Sequence, residues 1–427
     1  MALEVTLADV TVVYDPADPL SSSDPWAVYR RIRSEAPLHR SPRGFWVVAR
    51  HVDCNNVLRD RRASSDSLNI DPDQMPEGLG GPEGGDALSE FESLQQSLTS
   101  MEHDNRPFLF RDPPDHSRLR GLVSKAFTPR LVEGLRARTE VMVDELIDEA
   151  FERGDVDGMA DFAYPLPVRV ICEMLGVPAA DHERFKEWSQ ALSRGLDPDF
   201  LLPEEVKKAR FDAILNFAAY FFELLADRRA HPGTDLLSEL ALAEDGGDTL
   251  SEGELLSTCI LLLVAGHETT VNLIGGGLLA LLEHPDQLAR WRADPGLDRT
   301  ATEELLRFVS PVQLTGRTLL EDIPVSDGVL PKGAFTFLLL GSANRDPDAF
   351  DRPEELDLAR ADNRHLGFGF GIHHCLGAPL ARMEAQVALP ALLRRCRGIE
   401  LRTDHVTYRA NVILRGLVEL PVHLTPA

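Results

Sequence analysis

The sequence predicts a mainly α-helical protein carrying a small β-rich lobe, and three observations predict it. A capping box, Ser251-Glu252-Gly253-Glu254, opens an apolar stretch with no proline until His284-Pro285, so one helix spans about residues 252–283. Residues 134–230 carry helical periodicity, broken at Pro165, Pro167, Pro178, Pro198 and Pro203. Short β-type runs stand near the two ends, at Phe45–Ala49 and from Leu414 to Val422. At ~1.5 Å per residue the 252–283 helix is about 50 Å long, enough to cross a molecule of this size.

Composition sets the outer bounds. The chain has 427 residues, 43% of them hydrophobic, and length alone suggests about two or three domains. Its net charge of −25, from 44 basic and 69 acidic residues, argues against nucleic acid or an anionic membrane as partner. Five scattered cysteines, Cys54, Cys172, Cys259, Cys375 and Cys396, make no disulfide framework and point to a reducing cytoplasm. The N-terminus, with Glu4 and Asp9, lacks a basic and apolar leader pattern. The longest clean apolar run, Cys259–Gly266, falls far short of the ~20 residues a span needs, so no membrane anchor is expected.

In chain order, residues 24–35 read as a first helix with Asp24 as N-cap. Residues 64–100, rich in Gly, Pro, Asp, Glu and Ser, read as a long mobile loop. Asp112-Pro113-Pro114 marks a helix entry, after which His116 and Arg120, four apart, share one face suited to a dianionic ligand or to plain solvation. Leu196–Pro203 is a connection with exposed apolar residues, either a lid over an apolar mouth or a buried loop anchor. Inside the long helix lies Ala265-Gly266-His267-Glu268-Thr269-Thr270. Glycine costs about 1 kcal/mol in a helix interior, and polar residues after an apolar run are a local contradiction that often marks a site. His267-Glu268 does not make a zinc-protease motif, because position 271 is Val271.

Phe368-Gly369-Phe370-Gly371-Ile372-His373-His374-Cys375-Leu376-Gly377 presents one cysteine just before a helix expected over Ala378–Arg395. Unpaired N–H groups and the helix dipole at such a position favour thiolate, and the glycines let the loop lie against a broad planar group. A thiolate there suits a soft or borderline metal such as haem iron. A structural thiol is the ordinary alternative. Zinc on His373, His374 and Cys375 fits poorly, since adjacent residues rarely converge on one tetrahedral ion.

At these residues the sequence resembles the cytochromes P450, whose ligand loop has Phe, Gly, Cys and Gly where Phe368, Gly371, Cys375 and Gly377 stand, often with a histidine at the place of His373. The resemblance runs from about residue 24 to 424. It implies one mainly helical domain with a small β-rich lobe over residues 1–427, holding haem b (iron protoporphyrin IX) with Cys375 as axial ligand. It implies further that His116, Arg120 and Arg317 meet the haem propionates and that Ala265 and Gly266 lie against the haem. In the family Thr269 stands where a threonine opens the local helix bonding and orients activated dioxygen, and Glu268 where an acid relays protons. Glu304 and Arg307 match a structural Glu-x-x-Arg pair; its usual third partner, an arginine after a proline, is not evident, since Glu355 stands there. Leu262, Val312, Leu314 and Val412 are the implied substrate-pocket residues, and the 64–100 loop covers the cavity.

The implied activity is insertion of one atom of dioxygen into an apolar small molecule, by hydroxylation or epoxidation. No flavin or nicotinamide fingerprint appears, so electrons are expected from a ferredoxin and its NAD(P)H-dependent reductase, docking on a basic patch of Arg111, Arg118, Lys125 and Arg382. A peroxide-driven peroxygenase and a non-catalytic haem-binding protein are the competing readings, and the Glu268–Thr269 pair argues against both.

Overall fold

Prolines and capping side chains decide where the helices begin. The computed structural model describes residues 12–71, 106–245 and 247–427. Helix α1 (Pro25–Glu35) starts on a proline, and Asp24 holds the N-cap position without its side chain capping, contrary to expectation. Strands β1 (Leu38–Arg40) and β2 (Trp46–Val48), helix α2 (His51–Arg59) and strand β3 (Ala63–Ser64) follow. Helix α3 (Asp115–Ala126) begins after both prolines rather than around them. Helix α4 (Pro129–Arg153) is capped by Thr128, whose hydroxyl accepts from the Leu131 N–H at 3.2 Å. That cap extends the helical region N-terminally to 129 from the expected 134.

Strand β4 (Asp155–Asp157) and a π-helical turn (Gly158–Ala163) lead into α5 (Pro165–Met174), then α6 (His182–Arg194), α7 (Glu204–Ala230) and α8 (Leu236–Leu242). Pro165 and Pro167 therefore open α5 instead of breaking a helix, and Pro203 is the N-cap of α7. Helix α9 (Glu252–Glu283) carries both reciprocal bonds of its capping box, Ser251 to Glu254 and Glu254 to Ser251. After it come α10 (Pro285–Ala293), α11 (Asp298–Val309), β5 (Thr315–Leu319), β6 (Phe335–Leu338), α12 (Ala378–Arg395), β7 (Cys396–Leu401) and β8 (Pro421–Pro426).

Among the described residues, two sheets of three or more strands make most of the β-rich part, beside two two-stranded hairpins. The larger has the order β1-β2-β6-β5-β3, with β6 parallel to β2 and the other pairs antiparallel. The smaller, β7-β8-β4, corrects the expected strand over 414–422: the last strand begins at Pro421, and Leu414 only bridges to Val312. The expected mobile loop also needs correction at its start. Residues 63–64 form β3, and Ser65 and Asn69 donate to Asp112 at 3.1 Å each; residues 72–100 lie outside the described residues.

Helix α9 is the axis of the core. It packs against α5, α6, α7, α11 and α12, which explains why so much of it is apolar. It is long and apolar enough to cross a membrane, but it is a core helix whose most apolar window is 61% buried inside the fold. Each fully buried Leu, Ile or Val along it contributes roughly 1.5–3 kcal/mol. Gly266 has a packing reason: a Cβ there would stand 3.1 Å from Ile171 Cδ1, so its absence lets α5 approach. The helix runs unbroken through the segment, and the Thr269 and Thr270 hydroxyls donate back to the Ala265 and Gly266 carbonyls at 3.1 and 3.3 Å.

Candidate active site

The ligand loop is shaped by its own hydrogen bonds and by the chain beneath it. The Cys375 N–H donates to the Phe368 carbonyl at 2.9 Å, and the His374 N–H to the Gly371 carbonyl at 3.1 Å. Gly371 has φ +72°, and a Cβ on it would fall 2.3 Å from the Leu58 carbonyl oxygen, so both backbone angle and proximity to α2 require glycine. Of the five cysteines, Cys375 alone has an exposed side chain; the other four are buried.

Although the Cys375 residue is open to solvent, desolvation by the surrounding loop pushes its thiol pKa up. The Gly377 N–H, Arg120, the Ala378 N–H and Arg382 pull it down without reversing it. Bonding to a metal ion would favour the deprotonated thiol at this position.

Beside this thiol the structure gathers four of the predicted residues. The His116 and His373 rings lie 4.3 Å apart, and both nitrogens of each ring are buried without a partner. Arg120 donates to the His374 carbonyl at 2.5 Å, and Arg317 donates only to Thr315 Oγ1 and the Gly316 carbonyl, at 3.1 and 2.6 Å. Burial, then the neighbouring Arg317, His116 and Arg120, holds His373 neutral with a pKa of about 3, and burial lowers Arg317 to about 10. Two cations and four unpartnered ring nitrogens around one thiol suit a group carrying a metal and two carboxylates, so these residues fit haem.

On α9, Ala265 is exposed inside an otherwise buried helix, and Thr269 is partly exposed on the same side. Glu268 is buried, and its Oε1 accepts from Arg409 Nη1 at 2.6 Å. Sequence reasoning missed Arg409, which lies 141 residues away in an irregular segment. The pocket candidates divide. Val312 bridges to Leu414 and the Gln313 N–H donates to the Ile413 carbonyl at 2.8 Å, which sets the 312–314 and 411–414 segments side by side. Asp197 accepts from the Val412 and Ile413 N–H groups, joining the 196–203 connection to the same place. Leu314 is instead packed with Tyr14, Phe45 and Phe337 against the large sheet, because its side chain alternates to the other face, and Leu262 belongs to the helical core. Two surface hollows of about 860 and 780 Å³ contain none of the four.

The Glu304–Arg307 pair is wholly buried, and its missing partner is Arg360. Arg307 meets Glu304 with two bonds of 2.8 Å and donates its other three N–H groups to the carbonyls of Asn344, Pro353 and Glu355. Glu304 also accepts from Arg360, Asn363 and the Asp357 N–H. Asn344 in turn accepts the Leu366 N–H at 2.7 Å, two residues before the ligand loop, so the network fixes where that loop starts. The expected basic patch is largely neutralised. Arg111 is buried against Arg106 and Asp115, Arg118 pairs with Asp248 and Glu254, and Arg382 makes two bonds to Glu303.

The cytochrome P450 family model matches residues 86–294 and 299–414. The chain is 40% identical over 412 residues to the polyketide biosynthesis cytochrome P450 PksS of Bacillus subtilis, covering 94% of this chain and 96% of that one. The solved structure of PksS superposes with a TM-score of 0.84 over 97% of this chain and all of that chain. Vitamin D(3) 25-hydroxylase of Pseudonocardia autotrophica is 38% identical over 94% of each chain. The structure of P450BioI, solved with an acyl carrier protein bearing hexadec-9Z-enoic acid, matches with a TM-score of 0.82 and 36% identity over 94% of this chain and 98% of that one.

Proposed function

Because the chain belongs to the cytochrome P450 family of monooxygenases, we propose that it hydroxylates or epoxidises an apolar secondary metabolite, of polyketide or steroid-like character, in the cytoplasm. The observation that carries the reading is the exposed Cys375 thiol set beside the unpartnered His116 and His373 rings and the Arg120 and Arg317 cations. Bound haem b supplies dioxygen activation and transfer of one oxygen atom, with electron donation from a thiolate ligand.

The chain's own residues do the rest. Cys375 would ligate the iron of this group, and His116, Arg120, Arg317 and His373 would hold its carboxylates, with the loop from Phe368 through Gly371 to Gly377 packed against it. Ala265 and Gly266 on α9 would form another wall of its site, where their small size would leave room. Thr269 offers a hydroxyl on that wall, and Glu268 holds the proton supply behind it. Val312 and Val412, brought together by the Leu414 bridge and by Asp197, line the substrate side. Electrons come from a ferredoxin and its NAD(P)H-dependent reductase. The test has two parts. Reduced protein treated with carbon monoxide should show the absorption peculiar to thiolate-ligated haem, and Cys375→Ala should lose it. Product should then form with ferredoxin and reductase; turnover with hydrogen peroxide alone, and none with the reductase, defeats the monooxygenase assignment.

A further inference from the structure

His267 is a buried histidine on α9 for which the site described above has no use. Its Nδ1 lies 2.7 Å from the Leu263 carbonyl, which can only accept, so that nitrogen carries the ring proton. The Nε2 of the neutral ring is therefore an acceptor. It is buried, has no partner, and faces Glu268 Oε2 at 3.8 Å, which is also buried and without one. Two acceptors left facing each other are costly unless a proton stands between them.

Nothing nearby supplies that proton permanently. Arg409 serves the other carboxyl oxygen, Oε1. The Tyr164 ring meets the imidazole edge-on at 5.9 Å, but its hydroxyl is engaged with the Lys186 carbonyl and Ser189 Oγ, both at 3.2 Å. Lys186 lies over that ring at 5.4 Å, and Thr270 is bonded back to its own helix. Burial favours the neutral imidazole, Glu268 opposes that shift, and Arg409 reinforces it.

We propose that His267 and Glu268 act as one proton-holding pair. One proton sits between Nε2 and Oε2, taken up from water on the Arg409 side, where that side chain is 26% exposed, and released through the Glu268 carboxyl toward Thr269. The gap of 3.8 Å is about 1 Å beyond direct bonding, so a small side-chain adjustment or one bridging water closes it. His267 is then a positioning residue that sets how firmly Glu268 keeps its proton. The inference rests on the proton-supply role given to Glu268 above.

The experiment uses the haem-loaded protein with His267→Leu, His267→Gln, Glu268→Gln and the double variants. Two quantities are followed with pH: product formed per electron pair, and the thermal unfolding midpoint. Without His267 the shared proton loses one of its two acceptors, so the alkaline fall in product yield should move down by about one pH unit or more, a tenfold change in the pair's proton affinity. His267→Gln fills the space and can donate, yet cannot hold a proton, so it should show the same displacement with the unfolding midpoint preserved. The His267→Leu and Glu268→Gln effects on the midpoint should be non-additive at about pH 6 and additive at about pH 9. An undisplaced yield profile with additive midpoints at both pH values overturns the pair. Glu268→Gln leaving the yield intact sinks instead the role of Glu268 itself, and the midpoint cycle still reads whether the two residues share a proton.

Discussion

Gly371 and Thr269 show how much a single atom decides at this site. Adding a methyl at Gly371 places carbon against the Leu58 carbonyl and forces an L-residue to φ +72°. Gly371→Ala should therefore destabilise the protein by about 1–3 kcal/mol and weaken haem retention, measurable by thermal unfolding and by the ratio of Soret to protein absorbance. Thr269→Ala removes one hydroxyl that otherwise bonds only to its own helix. Its expected effect is a several-fold fall in product per electron with an unchanged resting spectrum. Residues such as Cys375, Glu268 and Thr269 were readable from sequence because their motifs are local. Arg409 and Arg360 were not, since each reaches its partner, Glu268 or Glu304, across 141 and 56 residues, and only folding brings those ends together.

At the scale of elements, boundaries were legible wherever a cap or a breaker is written into the chain. Helix α9 spans the expected 252–283 because Ser251 and Glu254 close one end and His284-Pro285 closes the other, and α12 occupies the expected Ala378–Arg395. Ser251→Ala should cost about 1 kcal/mol, with fraying of the first turn visible as faster amide exchange at Glu254, whose N–H the serine accepts. Strands fared worse. Strand β7 contains Gly398 and a register shift between Cys396 and Gly398, and it is held by pairing with β8 near the chain's end. A six-residue strand defined by a distant partner leaves little periodicity of its own to read. Gly266 belongs here too, because the demand for glycine arises from Ile171 on a neighbouring helix.

Across the whole molecule, two consecutive carboxylates on α11 fasten different layers. Glu304 turns inward to Arg307 and Arg360 and, through Asn344, fixes the entry to the ligand loop. Glu303 turns the other way, to Arg382 on α12 and His365 just ahead of the loop. Removing one member of the inner pair, as in Arg307→Ala, strands a buried charge and should cost about 3–5 kcal/mol, enough to abolish haem incorporation at growth temperature. The outer pair makes a pH-dependent contribution instead. Burial would raise the Glu303 pKa, but the Arg382 and His365 bonds outweigh it and bring it down to about 2 from the ordinary 4.5. A depressed carboxyl stabilises the fold above its unfolded pKa and loses that contribution as pH falls through its folded one, so the relevant window runs from about 4.5 down to about 2. Glu303→Gln should lower the unfolding midpoint at neutral pH and flatten its decline in acid. If the variant and the parent protein lose stability in parallel between those two pH values, Glu303 does not clamp α12 to α11.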